Sequence, residues 1–301
     1  MDEFRDATPD IGNTGRLRAR LADEGHLFFR HLLAVDAVEV VRLQILEELA
    51  RHGWLRDGSH ASEQLPGAIA RPEMDDSYWD GYAALQGVEA FHALAHRSEL
   101  VAMVRTLIDE DVLVHPRKIG RVSYPFGMAP TAPHQDYRYI QGTVDTFTVW
   151  APLGDCPGDL GGLRVLRGSQ DGGLLPVGEA AGAGGLGVAT RDDDPDWVSA
   201  DFEAGDVLLF HSLTVHGARP NHQDRLRLSV DYRYQSTSEP VVRETMHPHF
   251  HPHIPDWSGL TSDWSSLEAI DGDAADFTPM QPPAAALDVP ASRFVGTGGP
   301  R

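Results

Sequence analysis

Residues 205–221 read GDVLLFHSLTVHGARPN. Gly205-Asp206 marks a turn, Val207–Phe210 is an apolar run of strand length, and His216-Gly217 ends a second extended piece. Runs of the same texture flank it: KIGRVSY (118–124), DTFTVWAPL (145–153), GLRVLRG (162–168) and LRLSVDYRY (226–234). Each is rich in β-branched and aromatic residues and punctuated by Gly or Pro, so from about residue 112 the chain reads as a β-sandwich or barrel.

Upstream the period changes. Residues 14–24, TGRLRARLADE, predict a short helix capped by Thr14, with Leu17 and Leu21 on one face and Gly25 as its stop. His26–Phe29 reads as a short strand. Residues 36–52 give the clearest helix, with Val38, Val41, Ile45 and Leu49 in one stripe and Gly53 at its end. Another helical stretch falls at 88–108. Helices first and strands afterwards predict an α+β, mainly β, fold with helices packed on one sheet. The expected organisation is a single domain over 1–281, with a helical part (14–110), a strand core (112–240) and a capping segment (241–281). A Gly/Ala/Asp-rich mobile loop over 172–200 is a candidate lid, and 282–301 is expected to form a loose, flexible tail.

The bulk numbers narrow the function classes. Lys and Arg number 25 against 45 Asp and Glu, a formal charge of −20, which argues against nucleic acid or an anionic membrane as partner. The lone cysteine, Cys156, suits a reducing cytoplasm. The acidic start MDEFRDATPD lacks the pattern of a secretory leader, and no apolar run reaches the length of a membrane span. The expected partner is a small-molecule substrate in the cytoplasm.

The chemistry concentrates in Pro133-His134-Gln135-Asp136-Tyr137. On a strand, His134 and Asp136 would point the same way, offering an imidazole nitrogen and a carboxylate oxygen to one cation. A third ligand from 205–221 completes a two-histidine, one-carboxylate face, the arrangement of non-haem Fe(II) oxygenases, whose open positions take a chelating keto acid and oxygen. His216 is preferred over His211 because Gly217 allows close backbone approach. A dicarboxylate cosubstrate needs a cation for its far end; Arg227 and Arg225 both qualify by spacing.

This set, His134-x-Asp136, Trp150-Ala-Pro-Leu, the run Gly161 to Ser169, Gly205-Asp206, and His216-Gly217 followed by Arg227, resembles the phytanoyl-CoA dioxygenase family from about residue 15 to 265. The resemblance implies a double-stranded β-helix, or jelly-roll, flanked by N-terminal helices. It implies Fe(II) on His134, Asp136 and His216, 2-oxoglutarate held by Arg227 with Trp150 nearby, O2 as oxidant, and succinate and CO2 as coproducts. It singles out Arg227 over Arg225. Related halogenases lack the carboxylate, so Asp136 points to hydroxylation or desaturation. Two positions depart from the family pattern: Ala218 stands where a serine is common, and Gln170 where a histidine is. Substrate contacts are expected from Arg121, Tyr137, Arg138, Tyr139 and Gln141. The tract His247-Pro-His249-Phe-His251-Pro-His253 offers a possible second metal site within a segment that caps the barrel. The alternatives are a jelly-roll metal enzyme that does not use 2-oxoglutarate and a non-catalytic β-sandwich binding module.

Overall fold

A computed structural model describes residues 2–270 and 276–296. Seven helices occur among them: α1 (Thr14–Glu24), α2 (Val35–Arg51), α3 (Trp79–Gln86), α4 (Glu89–Leu94), α5 (Ser98–Ile108), α6 (Tyr137–Ile140) and α7 (Trp257–Leu260). The strands are β1 (Asp2–Glu3), β2 (His26–Phe29), β3 (Val112–Val114), β4 (Ile119–Ser123), β5 (Phe147–Pro152), β6 (Leu163–Leu166), β7 (Val177–Glu179), β8 (Leu186–Val188), β9 (Trp197–Ser199), β10 (Val207–His211), β11 (His216–Ala218), β12 (Arg227–Ser236), β13 (Val241–Val242) and β14 (Phe277–Thr278). No described helix is long and apolar enough to cross a membrane.

Two sheets make the jelly-roll. The major one runs β2-β10-β5-β12-β3, with β4 also paired to β12, and the minor one runs β1-β9-β6-β11. Strand alternation sorts the side chains of the major sheet. Val149, Leu209, Leu228, Val230, Tyr232 and Tyr234 face the helices and join one core with the α2 stripe Val38, Val41, Ile45 and Leu49. Burying each such side chain contributes about 1.5–3 kcal/mol at most. The phenols of Tyr232 and Tyr234 also donate to the carbonyls of Phe91 and Ala95, both at 2.7 Å, which ties α4 to the sheet. The opposite face packs Trp150, Leu208 and Phe210 against Leu163, Val165 and Val198 of the minor sheet.

Local signals hold with small shifts. The cap of α1 is Asn13, whose side chain accepts from the Arg16 amide at 3.1 Å, one residue before the expected Thr14. Gly25 ends α1 at φ 75°, and a Cβ there would collide with the Gln170 amide and the Thr214 hydroxyl. The stretch 88–108 is two helices, α4 and α5.

Two expectations need correction. Residues 172–200 are not a plain mobile loop: β7 and β8 form a hairpin, and β9 pairs with β6 and buries Trp197 completely. The expected loose tail packs on the core over its described part. Asp145 accepts from the Ser292 hydroxyl (2.5 Å) and the Arg293 amide (3.0 Å), and Val295 is buried. Residues 297–301 of that tail lie outside the described residues.

Lys118 is a buried cation next to the capping segment. Its ammonium donates to the Ala269 carbonyl at 2.7 Å, a carbonyl that His96 Nε2 also meets at 3.1 Å. Burial pushes the Lys118 ammonium down to about 7. The unfolded chain keeps that proton up to about pH 10.4. Stability therefore rises as pH climbs from 7 toward 10, and the full cost of the buried charge is present at and below 7. Lys118→Met should accordingly raise the thermal midpoint by a few degrees at pH 6.5, with the gain shrinking toward pH 10. Melting curves across that range check it, and a pH-independent difference would contradict this account of Lys118.

Candidate metal centre

The two segments that carry the site are joined by their own backbones. His134 and His216 form an antiparallel bridge, with the amide of each donating to the carbonyl of the other at 2.9 and 3.0 Å. Gly217 makes this approach possible, because a Cβ there would lie 3.1 Å from both Pro133 N and Thr131 O. The glycine thus lets backbone meet backbone. The His134–Asp136 triplet is not a strand, as strand alternation had suggested: His134 sits on a lone bridge and Asp136 is the N-cap of α6. The turn into that helix, rather than strand alternation, aims both side chains inward.

The donor atoms of His134, Asp136 and His216 lie within 4.8 Å of one another, the only such cluster among the described residues, and all three residues are buried. Asp136 Oδ1 is 3.5 Å from His134 Nε2 and 3.7 Å from His216 Nε2. Neighbouring ligands of an ion with bonds of about 2.1 Å sit only slightly closer. The imidazoles are also fixed in the right tautomer. Nδ1 of His134 donates to the Ala132 carbonyl (2.9 Å) and Nδ1 of His216 to that of Thr214 (3.0 Å), which leaves both Nε2 lone pairs aimed at the gap. Burial depresses the His216 imidazole to about 3, so it stays a neutral donor.

The second oxygen of Asp136 is already engaged. Oδ2 accepts from the Thr148 hydroxyl at 2.5 Å and from Arg233 at 3.3 Å. Burial works to raise this carboxyl, yet the Arg233 guanidinium holds it well below the usual carboxylate range. Oδ1 alone is left for a metal. Neutral imidazoles, one carboxylate and fixed orientations suit a divalent transition ion.

Beside the triad, Arg227 and Trp150 line a narrow recess with Phe210, Leu163 and Ala218. Arg227 is buried, donates to Ser229 Oγ at 2.5 Å and leaves its Nε without a partner. It also borders a cavity of about 200 Å³. A buried guanidinium this poorly matched is suited to an incoming carboxylate. The two rivals stand elsewhere. Arg225 precedes β12, in a turn, and its backbone carbonyl accepts from Asn221. His211 sits against Asp145 and Ser292, both at 3.3 Å.

A larger cavity of about 330 Å³ opens from His134 and Asp136. Of the expected substrate contacts, Arg121 and Tyr139 line it. Arg121 is shared between Asp231 (2.8 Å) and Glu73 (3.4 Å). Tyr137, Arg138 and Gln141 do not line it and are corrected here to supports of the C-terminal segment. The Tyr137 hydroxyl donates to Asp288 O, Arg138 to Pro283 O and Leu175 O, and Gln141 to Gln281 O. The short helix α6 turns these three away from the site. Ala183 and Gly184, at the tip of the β7–β8 hairpin, close one side of the cavity.

Sequence reading missed Arg233, Thr148, Arg117 and Glu73. The signal for Arg233 was present: in β12 the residues Arg227, Ser229, Asp231, Arg233 and Gln235 alternate with apolar ones, which marks a polar inner face. The histidine tract forms no metal cluster among the described residues. His249 lines the cavity and meets the Tyr82 hydroxyl at 2.7 Å, while His253 stacks on Trp79.

Comparison with known proteins agrees with this geometry. The profile of the phytanoyl-CoA dioxygenase family matches residues 23–229. The chain is 27% identical over 260 residues to the 1-deoxypentalenic acid 11-beta-hydroxylase of Streptomyces arenae, covering 79% of this chain and 87% of that protein. The corresponding enzyme of Streptomyces exfoliatus is 26% identical over similar coverage. Among solved structures, the epimerase SnoN in complex with Fe3+, alpha ketoglutarate and nogalamycin RO superposes with a TM-score of 0.55 at 21% identity, covering 90% of this chain and 97% of that one. EvdO2 from Micromonospora carbonacea var. aurantiaca, complexed with 2-oxoglutarate, does so at 0.51 and 19%, covering 73% and 90%. At these identities the two structures establish the shared fold.

The centre makes a direct prediction. Titrated with Co(II), the protein should bind one ion, and His134→Ala, Asp136→Ala or His216→Ala should abolish that binding. Thr148→Val should weaken it about 10- to 100-fold by freeing Asp136 Oδ2. Parental affinity in any alanine variant would show that the ion binds elsewhere.

Proposed function

The chain belongs to the phytanoyl-CoA dioxygenase family of iron(II)- and 2-oxoglutarate-dependent oxygenases, and from that premise we propose how its own residues carry the reaction. His134, Asp136 and His216 hold ferrous iron, Arg227 binds the far carboxylate of 2-oxoglutarate, and the 330 Å³ cavity takes a small organic molecule that is hydroxylated. The observation that carries this reading is the pairing of a preoriented His/Asp/His face with a buried, under-partnered guanidinium beside it.

Bound iron supplies the oxygen activation that side chains cannot, coupling oxidative decarboxylation of the keto acid to oxidation of the substrate. The protein's part is placement. Thr148 and Arg233 occupy Asp136 Oδ2, so the carboxylate stays a one-oxygen ligand and leaves coordination positions open. Arg227 fixes the cosubstrate at its distal end, while Trp150, Phe210 and Leu163 keep the recess dry. The β7–β8 hairpin and the segment around His249 and Phe250 cover the cavity and orient the substrate toward the metal.

Asp136 itself favours hydroxylation over halogenation, since it fills the position a halide would need. The two curated relatives are named as 1-deoxypentalenic acid 11-beta-hydroxylases, and we carry hydroxylation over to this chain on that likeness. Its lone buried Cys156 fits a cytoplasmic setting.

With Fe(II), ascorbate, oxygen and 2-oxoglutarate, the protein should release succinate, and a true substrate should raise that rate. Arg227→Gln should raise the 2-oxoglutarate concentration required roughly 10- to 100-fold, the loss of charged hydrogen bonds. The same change should erase the preference for 2-oxoglutarate over 2-oxobutanoate, which lacks the distal carboxylate. Succinate release independent of Arg227 would refute the cosubstrate assignment; metal binding without any succinate would favour a jelly-roll enzyme of another chemistry.

A further inference from the structure

We infer that 2-oxoglutarate and the succinate it becomes use a passage of their own, the 200 Å³ cavity beneath the 127–131 loop, and not the 330 Å³ cavity that takes the organic substrate. The claim rests on the oxygenase reading above. The two cavities open on different parts of the site. His134 and Asp136 line the larger one, and Arg227 does not. Arg227 and Ala218 line the smaller one, and none of the three metal-binding residues does. The narrow recess joins the two sides, since His134, His216 and Arg227 all border it. A keto acid that reaches from the metal to Arg227 therefore lies along the recess, with its distal carboxylate toward the smaller cavity.

Strand direction explains the division. Along β4, Ile119 lines the larger cavity, Arg121 both, and Ser123 the smaller; along β12, Arg233 lines the larger and Arg227 the smaller. Between these ends, Arg121 donates to Asp231 at 2.8 Å and meets Glu73 at 3.4 Å. Arg121, Glu73, Thr131 and Ala183 belong to both walls and so form the partition. Removing one member of a largely buried ion-pair cluster is costly, and the Thr131 carbonyl accepts from the Ala218 amide at 3.0 Å. The partition is thus a fixed wall. The smaller cavity reaches solvent past Gly127, Ala129, Pro130 and Gly182, all exposed. Gly182 sits tightly on this loop, because a Cβ there would collide with the Pro130 carbonyl. At the inner end, Arg227 donates to Ser229 Oγ and has no carboxylate within ion-pair distance among the described residues. An uncompensated guanidinium at the bottom of an open cavity draws a dicarboxylate inward. The small side chain of Ala218, on the walls of cavity and recess alike, leaves the way between them clear. Keto acid and succinate then exchange while the organic molecule stays in the larger cavity.

The test plugs one cavity at a time. Cys156 is the single cysteine of the chain and is buried, so an introduced cysteine can be capped selectively with a bulky maleimide. Ala129→Cys puts the cap at the mouth of the smaller cavity, and Met280→Cys puts it on the wall of the larger. Pro130→Cys, at the same mouth as Ala129, replaces the first variant should that one fold poorly. Capping is verified by mass. Each protein, uncapped and capped, is charged with Fe(II) under nitrogen and mixed rapidly with 2-oxoglutarate, and the visible charge-transfer absorption of the chelate reports loading. The slope of observed rate against concentration gives the entry rate constant, the intercept gives the exit rate constant, and an equilibrium titration gives Kd. Absence of that absorption in the parent protein refutes the oxygenase reading, and this inference with it. Capping Ala129→Cys should slow entry and exit alike, each about tenfold, with Kd changed by no more than about twofold, because an obstacle in a passage hinders both directions. Capping Met280→Cys should leave both rate constants as they were. The inference is overturned if capped Ala129→Cys loads as fast as the uncapped variant. It is equally overturned if capping Met280→Cys slows loading as much or more.

Discussion

Two reciprocal hydrogen bonds between the backbones of His134 and His216 hold the site together. They bring a loop that leads into a one-turn helix against the short strand β11. The approach is tight enough that a Cβ at residue 217 would lie only 3.1 Å from backbone atoms of Thr131 and Pro133. Once this bridge exists, both imidazoles hang from one small patch of backbone, and each is turned by a carbonyl two residues before it. Asp136 follows because α6 begins there. The metal face is thus a consequence of local backbone pairing at β11, an edge strand of the minor sheet, and it is oriented in the protein's own structure.

The major sheet's contribution is electrostatic. Strand β12 has a face of leucine, valine and tyrosine bound to the helices, and a face of arginine, serine, aspartate and glutamine turned inward. Every residue of this strand is buried. Ionised groups placed there require compensation. Asp231 compensates Arg121, and Asp136 compensates Arg233. Arg227 finds only a serine hydroxyl. The pattern of matched and unmatched charge marks where the protein completes itself and where it waits for a ligand.

Much of this was legible in the sequence, for physical reasons that differ by element. The stripe of α2 and the apolar runs of β5 and β10 follow from burial on a fixed period, and they appear where periodicity placed them. The three donors and Arg227 were legible because their spacing carries the family's motif. The face they share was foreseen on the wrong grounds, since a helix cap and a bridge, not a strand, aim the first two. Residues just after Asp136 misled for the same reason: α6 turns Tyr137, Arg138 and Gln141 toward the C-terminal segment, and of the expected contacts in this stretch Tyr139 alone faces the cavity. Glycine-rich composition over 172–200 suggested a plain loop, whereas its glycines serve the tight turn of a hairpin and its aromatic Trp197 anchors β9. Arg117 and Glu73 were invisible because nothing local distinguishes them; tertiary packing alone brings them to the cavity wall.

The central claim is that one ion and one keto acid are gripped by these named groups, and a crystal structure of the protein loaded with Mn(II) and 2-oxoglutarate without oxygen tests it most directly. The account expects the ion on His134 Nε2, Asp136 Oδ1 and His216 Nε2 at about 2.1 Å, with the distal carboxylate of the keto acid on Arg227. An ion seated away from those three atoms, or that carboxylate resting on Arg121 or Arg233 while Arg227 stays bare, would contradict it.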